Sequence, residues 1–181
     1  MEEVFLNTLQ KAYVTGVSLN FIVAPDIVAG GRDSLDFSME WATGKLKTAP
    51  CLALAVQDGM TPKDLMHHNV PQYFTHLFVG GTVKWKWETA ESWVKAAHGF
   101  DMECHIGRCG KIENLRRAQS IGADSVDSAS FARNNSWHII SEFMSIPNQL
   151  ELEVADGEPT TPGSEEEDQQ GRTSKSGEAM P

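Results

Sequence analysis

The stretch GADSVDSASFARNN, residues 122–135, ends a short apolar segment on one aspartate, Asp127, and carries an arginine six residues later, Arg133. A carboxylate that follows a buried strand and faces a loop is the way in which α/β barrels present catalytic groups. The stretch therefore predicts a short strand that ends in a candidate catalytic Asp127. A second interpretation stays open on spacing alone, because aspartate also caps the turn that follows a strand.

Five apolar segments have the length of buried strands, and segments with apolar residues at helical spacing precede them. The predicted strands are 19–24, 51–56, 76–79, 103–106 and 124–126. The predicted helices are 4–13, 34–47, a helix that begins at Thr61, 88–98 and 111–120. Continuous apolar strands at the period of a βα unit favour a parallel sheet covered by helices. A doubly wound sheet stays open, although no glycine-rich phosphate turn follows the first strand.

The length and composition predict one intracellular domain. A chain of 181 residues, 40% of them hydrophobic, is long enough to bury one core. No window approaches the length of an apolar membrane span, and the amino-terminal segment MEEVFLNTLQK is acidic and polar, unlike a signal peptide. We therefore expect a cytoplasmic protein without a membrane partner.

The net charge of −10 is concentrated in the last part of the chain. Residues 149–181 hold nine acids and two basic residues, which leaves a charge of −3 on the first 148 residues. The same segment is rich in Pro, Gly, Ser and Glu and has no aromatic residue. Such a composition buries too little apolar surface to offset the entropy of ordering. We therefore predict a folded domain over residues 1–147 and a disordered acidic tail over 148–181.

Neither the cysteines nor the paired histidines form a recognisable metal motif. Cys51, Cys104 and Cys109 are odd in number, and the gap between the last two fits neither a disulfide framework nor a zinc knuckle. His67 and His68 are neighbours on a predicted helix, so their side chains point in different directions. Reduced thiols, no metal and no cofactor are the expectation.

The loops after the predicted strands collect acids, amides and paired glycines. Their sequences are PDIVAGG, QDGMT, GGTVKWKW, GRCGK and DSASFARNN. In parallel α/β folds these loops meet at the carboxyl edge of the sheet, where such folds bind their ligands. A ligand site at that edge is therefore predicted.

Five motifs, taken in order and spacing, resemble the tRNA-guanine transglycosylase family over about residues 4–137. They are Asp26 after a strand, AVQDG around Gln57, FVGGT around Gly80 and Gly81, HIGR with Gly107, and GADSVDSASFAR around Asp127 and Arg133. Enzymes of this family are TIM barrels that exchange guanine in nucleic acid for a 7-deazaguanine base. The resemblance implies a partial TIM-type α/β barrel of about five parallel strands.

The resemblance also implies roles for two of these residues in catalysis. Asp127 matches the family's nucleophilic aspartate, and Arg133 matches the arginine six residues after it. An aspartate below the sugar can attack C1′ and hold a glycosyl ester while the bases exchange, with net retention of configuration. Asp127 is therefore the expected catalytic residue.

The remaining matched residues are expected to bind the base. Asp26 and Gln57 match the side chains that recognise the guanine edge, where N1–H and the amine are donors and O6 is an acceptor. Gly80 and Gly81 match paired glycines whose backbone approaches the flat ring, since no Cβ intervenes. Gly107, in the HIGR motif, completes the expected substrate-binding set. For the glycine pair by itself, an ordinary loop is the alternative.

Two features of the family have no counterpart in this sequence. They are the general base in an Asp-Ser-Gly-Gly stretch and the zinc site of clustered cysteines with a histidine. Five predicted strands also fall short of the eight of a barrel. We therefore expect a second chain or a missing segment to complete the barrel, and no turnover by this chain alone. The absent zinc module favours the branch found in bacteriophages and bacterial DNA-modification clusters, which acts on DNA guanine in the host cytoplasm.

A basic aromatic segment follows the glycine pair. Lys84, Trp85, Lys86 and Trp87 suit stacking on bases and contact with phosphates of an opened DNA or tRNA strand. The same four residues also suit the amphipathic start of a helix. Both interpretations stay open.

Two functions from different classes follow from the sequence. One is a glycosyltransferase that inserts a 7-deazaguanine into DNA or tRNA, which the retained Asp127 favours. The other is a non-catalytic base-binding or nucleic-acid-binding accessory subunit, which the missing general base favours. An unrelated TIM-barrel lyase or hydrolase is a third alternative.

Overall fold

A computed structural model describes residues 2–145 of the chain. Residue 1 and residues 146–181 are not described, so the predicted acidic tail lies outside the described residues. A short 3-10 turn spans Val70–Gln72. The strands are β1 Ile22–Val23, β2 Leu52–Val56, β3 His76–Val79, β4 Glu103–Ile106 and β5 Ser125–Val126. The helices are α1 Glu2–Val14, α2 Arg32–Thr43, α3 Lys63–His67, α4 Val83–His98, α5 Ile112–Ser120, α6 Ala129–Arg133 and α7 His138–Ser145.

The five strands form one parallel sheet in the order β1-β2-β3-β4-β5. The predicted α/β fold with five parallel strands is therefore confirmed. A doubly wound sheet reverses its strand order partway along the sheet. The order here runs in sequence from edge to edge, and the sheet is curled into a half-barrel. All five carboxyl ends therefore lie along the same curved edge.

The core lies between the convex face of the sheet and the helices. Side chains of a strand alternate between its two faces, and Leu54, Val56, Leu77, Val79 and Ile106 all belong to the buried core. The helices add Leu35, Leu65, Trp93, Val94 and Leu115 to this cluster. Because this core fixes the register of every strand, it also fixes the residues that end each strand at the carboxyl edge.

The concave face of the sheet carries an aromatic cluster. The His105 ring stacks on Phe78, with ring centroids 4.9 Å apart and an interplanar angle of 19°. Phe21 lies against His105 and His76, at centroid distances of 5.2 Å and 4.9 Å. This face is therefore lined by flat aromatic and imidazole rings.

The main correction to the predicted elements concerns the start of α4. Helix α4 begins at Val83 rather than at residue 88, so residues 84–87 lie in its first turns and not in a loop. The cause is Thr82, whose extended backbone ends the loop and whose hydroxyl accepts a hydrogen bond from the Trp85 N–H at 3.4 Å. The amphipathic helix start is therefore the interpretation that the structure supports for residues 84–87.

Smaller differences lie at the two edges of the sheet. Strand β1 is limited to Ile22–Val23, against a prediction of residues 19–24. The segment after β5 forms the short helix α6 and then α7, where no helix was predicted. Among residues 2–145, no helix combines the length and apolar character needed to span a membrane.

Candidate functional site

Asp127 lies directly after β5, where the backbone of the neighbouring strand and its loop hold it on both sides. Its N–H donates to the Ile106 carbonyl oxygen at 3.4 Å, and its own carbonyl accepts from the Cys109 N–H at 2.7 Å. The side chain is 52% exposed. The residue is therefore fixed in place while its carboxylate faces solvent at the carboxyl edge.

The loop after β4 holds one oxygen of this carboxylate. Asp127 Oδ1 accepts a hydrogen bond from the Arg108 backbone N–H at 2.5 Å. Arg108 has a φ of 61°, a left-handed conformation that is uncommon for residues with a side chain. Strain of this kind is found where the surrounding structure requires it, and here it aims the N–H at Asp127. The Arg108 guanidinium in turn donates to the carbonyl oxygen of Gly81.

His105 lies beneath Asp127 on the concave face and is a residue that the sequence analysis missed. Its side chain is 7% exposed, and its Nε2 lies 4.0 Å from Asp127 Oδ2. Nδ1 is 2.8 Å from the Ser125 hydroxyl, whereas Nε2 is buried and has no hydrogen-bond partner within the described part of the chain. Burial lowers the pKa of His105; the charge of Asp127 raises this pKa, and His76 lowers it again. Because the net pKa is below 6.5, the ring is neutral near pH 7.

The three matched glycines differ in what surrounds them. A Cβ on Gly107 would lie 2.8 Å from Phe78 Cζ, and a Cβ on Gly81 would lie 2.5 Å from Asp58 Oδ2. Gly81 also has a φ of +70°. At Gly80 a Cβ would make only ordinary contacts, the nearest at 3.5 Å. A side chain at position 81 or 107 would therefore meet neighbouring protein atoms too closely. A side chain at position 80 would not, so the backbone of Gly80 has open space beside it.

Asp58 links the glycine pair to the loop after β2. Its carboxylate accepts hydrogen bonds from the N–H and the hydroxyl of Thr82, each at 2.7 Å. Burial raises the pKa of Asp58, but the two hydrogen bonds from Thr82 outweigh burial and hold this pKa below its ordinary value. Asp58 therefore remains ionised and connects β2 to the amino terminus of α4.

Gln57 lies at the end of β2 and is 4% exposed. Its Nε2 donates to the Ile27 carbonyl at 2.9 Å and to the Ser34 hydroxyl at 2.7 Å, and its Oε1 accepts from the Ala29 N–H at 2.7 Å. Exposed Asp26 lies near the same amide, with Oδ2 3.4 Å from Nε2. Asp26 and Gln57 are thus neighbours, as predicted for one site. In this arrangement the Gln57 amide holds the loop after β1, and its predicted contact with guanine requires some of these bonds to be exchanged.

Three of the four residues of the basic aromatic segment pack against the protein. Lys86 is 1% exposed, and its ammonium donates to the Gly107 carbonyl at 2.5 Å; burial lowers its pKa. Trp85 packs on Trp93, with ring centroids 6.2 Å apart, and the Trp87 ring lies between the Lys86 ammonium and an arginine of α5. Lys84 is exposed. Of the four predicted nucleic-acid contacts, Lys84 is the one whose charged group faces solvent.

Arg133 is the last residue of α6 and is exposed. The burial of Phe131 anchors this short helix to the core. The Arg133 side chain makes no hydrogen bond or ion pair with another described residue. It is therefore an exposed cation on the element that follows Asp127.

The candidate site is an open edge rather than a closed cavity. A depression of about 230 Å³ lies around Leu46, Pro50, Pro71 and Phe74, near the amino ends of the strands, and its lining among the described residues has one charged side chain, that of Lys47. No cluster of three or more metal-binding side chains occurs within residues 2–145. The chemically active groups of the described part therefore gather at the carboxyl edge, around Asp127.

The geometry thus connects the predicted residues into one series. Contacts run from Gln57 through its chain neighbour Asp58 to Thr82, which follows Gly81, and from Gly81 through Arg108 to Asp127. No protein-family model and no curated protein matches the chain. The functional inference therefore rests on the residues of this edge.

Proposed function

We propose that this chain carries the nucleophile and the base-binding edge of a TIM-barrel-type glycosyltransferase that exchanges guanine in nucleic acid for a 7-deazaguanine base. The observation that carries the proposal is the exposure and orientation of the Asp127 carboxylate. Its carboxylate is exposed at the carboxyl end of β5 and is oriented by the Arg108 N–H at 2.5 Å. Parallel (β/α) sheets hold their catalytic groups at this edge.

The proposed reaction has two displacement steps at C1′ of the nucleotide. An oxygen of the Asp127 carboxylate attacks C1′, the bond from C1′ to N9 of guanine breaks, and the departing base takes the electron pair. The incoming 7-deazaguanine then attacks C1′ through N9 and gives its N9 proton to the acid–base group that protonated the guanine, while the ester bond to Asp127 breaks and returns its electron pair to the carboxylate. Two inversions give net retention, as in other enzymes with a carboxylate nucleophile.

Protonation of the leaving guanine needs a group that the matched motifs do not supply. Within residues 2–145, the contacts of the Asp127 carboxylate include no second carboxylate. Strands β1 and β5 each pair with one described strand, so further strands have an edge to join. In the proposal, a second chain or a further segment completes the barrel and supplies the acid–base group.

Base recognition falls to the other half of the carboxyl edge. The exposed Asp26 carboxylate can accept hydrogen bonds from N1–H and the amine of guanine. The backbone at Gly80 can approach the ring, because no side chain intervenes there. Gln57 contributes by holding the loop that carries Asp26. Adenine offers an acceptor in place of N1–H, so a carboxylate at this position disfavours it.

The nucleic acid is proposed to contact the exposed cations of the same edge. Lys84 lies in the first turn of α4 and Arg133 at the end of α6, and both are exposed. Lysine and arginine side chains are the usual partners of phosphates. The DNA-modifying branch of the family, in a cytoplasmic or host-cytoplasmic setting, is the proposed context.

A second candidate function is a non-catalytic subunit that binds the base or the nucleic acid. The absence of a second carboxylate among the described contacts of Asp127 favours it, because base exchange needs a proton donor as well as a nucleophile. The base-binding edge is the same for both functions.

Isothermal titration calorimetry with the full chain tests the base-binding edge that both functions share. We expect guanine and 7-deazaguanine to bind at least ~10-fold more tightly than adenine, because an unpaired buried polar contact costs ~1–3 kcal/mol. Asp26→Asn should remove this preference, whereas Asp101→Asn, an exposed aspartate before β4, should keep it. Equal affinity for adenine in a folded sample would overturn both candidates.

A further inference from the structure

Among the described residues, two buried side-chain polar atoms have no hydrogen-bond partner, and His105 Nε2 is one of them. The other, Trp93 Nε1, belongs to a tryptophan of the helix-side core. His105 Nε2 instead points toward the carboxyl edge, where Asp127 Oδ2 lies 4.0 Å away. A buried donor or acceptor without a partner costs ~1–3 kcal/mol, so this nitrogen requires a physical account.

We propose that His105 is a positioning residue for Asp127, which it orients through a hydrogen bond from Nε2–H to the carboxylate oxygen Oδ2. The catalytic consequence of this contact rests on the proposed function, but the contact itself does not. It requires two conditions, a proton on Nε2 and a closer approach of Oδ2.

The proton on Nε2 follows from the surroundings of the ring. A neutral imidazole carries one proton, either on Nδ1 or on Nε2. The Ser125 hydroxyl lies 2.8 Å from Nδ1 and can donate or accept there. A bare lone pair on Nε2 would face the Asp127 carboxylate and be repelled, whereas an N–H on Nε2 is attracted. Ser125 therefore donates to Nδ1, and Nε2 carries the proton.

The approach of Oδ2 requires about 1 Å of movement, because an N–H···O hydrogen bond joins atoms ~2.7–3.2 Å apart. His105 cannot supply this movement, since Phe78 and Phe21 pack against its ring. Asp127 can supply it by rotating its exposed carboxyl group while Oδ1 keeps the bond from the Arg108 N–H. Each carboxylate oxygen then has one N–H donor, and the plane of the nucleophile is fixed.

A neutral donor suits a nucleophile better than a cation does. An imidazolium would form an ion pair with Asp127 and reduce the charge that attacks C1′. The groups that influence the ring are the Asp127 carboxylate and His76, which lies on the same concave face. Burial and His76 both favour the neutral ring, so the carboxylate keeps its charge.

NMR spectroscopy of the full chain with ¹⁵N-labelled histidine tests the contact without any substrate. The chain has six histidines, and His105→Gln identifies the signal of His105. We expect the neutral ring to be protonated on Nε2. Asp127→Asn should lower the His105 pKa further, because the negative charge that favours imidazolium is removed. Asp101→Asn should leave this titration unchanged. A proton on Nδ1, or an unchanged titration in Asp127→Asn, would overturn the proposal.

A second measurement separates positioning from packing. Covalent adduct formation at Asp127 should slow about 10²-fold in His105→Leu, because a misplacement of ~1 Å commonly costs that factor. His105→Gln retains an N–H donor and should keep at least about a tenth of the rate. Equal rates for both variants and the parent would overturn the positioning role. If the parent forms no adduct either alone or together with the second chain that the proposed function requires, the proposed function fails, and the NMR result alone decides the contact.

Discussion

The two ends of the carboxyl edge use the same sequence pattern in opposite ways. At the β1–β2 end, an apolar strand is followed by Gln57, which is 4% exposed and bonded on both sides of its amide by the protein. At the β4–β5 end, a strand is followed by Asp127, which is 52% exposed and has one carboxylate oxygen without a hydrogen bond to another residue of 2–145. The loops that contact Gln57 and Asp127 cause this difference in exposure. The loop after β1 folds over Gln57, whereas the loop after β4 gives Asp127 one backbone N–H and leaves its other side open.

The largest expected effect concerns stability at the Gln57 end. Gln57→Leu removes partners from the Ala29 N–H, the Ile27 carbonyl and the Ser34 hydroxyl. Because unsatisfied polar groups cost ~1–3 kcal/mol each when buried, and this loop is partly exposed, we expect the free energy of unfolding to fall by about 2–4 kcal/mol. Urea denaturation gives this value directly.

Asp127→Asn is the matched variant at the other end. Its amide oxygen can still accept from the Arg108 N–H, and its side chain is half exposed. We therefore expect its free energy of unfolding to stay within about 0.5 kcal/mol of the parent. If Gln57→Leu and Asp127→Asn lower the free energy of unfolding by the same amount, the contrast between an anchored Gln57 end and an accessible Asp127 end is wrong.

An intermediate effect is expected at Asp58, which lies between the two ends. Asp58→Asn weakens the two hydrogen bonds to Thr82 and should cost about 1 kcal/mol at pH 7. The folded-state pKa of Asp58 is below the ordinary 3.8. As the pH falls, the Asp58 carboxylate is therefore protonated in the unfolded chain before it is protonated in the folded chain. The contribution of Asp58 to the free energy of unfolding is present above pH 3.8 and is lost as the pH falls through the folded pKa.

Urea denaturation of the parent and Asp58→Asn at several pH values measures this dependence. The difference between the two proteins should be constant from about pH 5 to pH 7 and should shrink at lower pH. A difference that grows on acidification would show that the carboxylate is not stabilised by Thr82.

A small effect on stability, like that of Asp127→Asn, is expected at Arg108. Arg108→Gly keeps the backbone N–H that binds Asp127 and removes the unfavourable left-handed conformation of a residue with a side chain. It also removes the hydrogen bond to Gly81 and gives the unfolded chain more freedom. These effects oppose each other, so we expect a change within about 0.5 kcal/mol by thermal denaturation. A loss above about 1.5 kcal/mol would make the Arg108 side chain part of the folded framework.

The strands were predictable because their apolar runs are local. Strands β3 and β4, with the sequences HLFV and ECHI, have the predicted bounds. The start of α4 was misplaced because its cap depends on Asp58, which is 24 residues away from Thr82. Contacts of this range cannot be inferred from spacing alone.

The sequence predicted the edge of the sheet at which the candidate site lies, but not the contacts between the residues of the site. The position of Asp127 after a strand was inferred, but the roles of His105 and Arg108 were not. A histidine in an apolar strand is a weak signal, because the sequence does not show which polar groups the ring meets. Arg108 acts through its backbone N–H, which is independent of its side chain and therefore leaves no trace in the residue type.

The most direct test of the central claim is the search for a covalent adduct at Asp127. The full chain is incubated with guanine-containing DNA and, separately, with tRNA, both alone and with the second chain that the proposed function requires. A denaturing gel and peptide mass spectrometry then locate any glycosyl ester. We predict an ester at Asp127 that is absent in Asp127→Asn, because a neutral amide is a poor nucleophile, and present in Asp101→Asn. An adduct that persists in Asp127→Asn, or that maps to another residue, would contradict the assignment of Asp127 as the nucleophile.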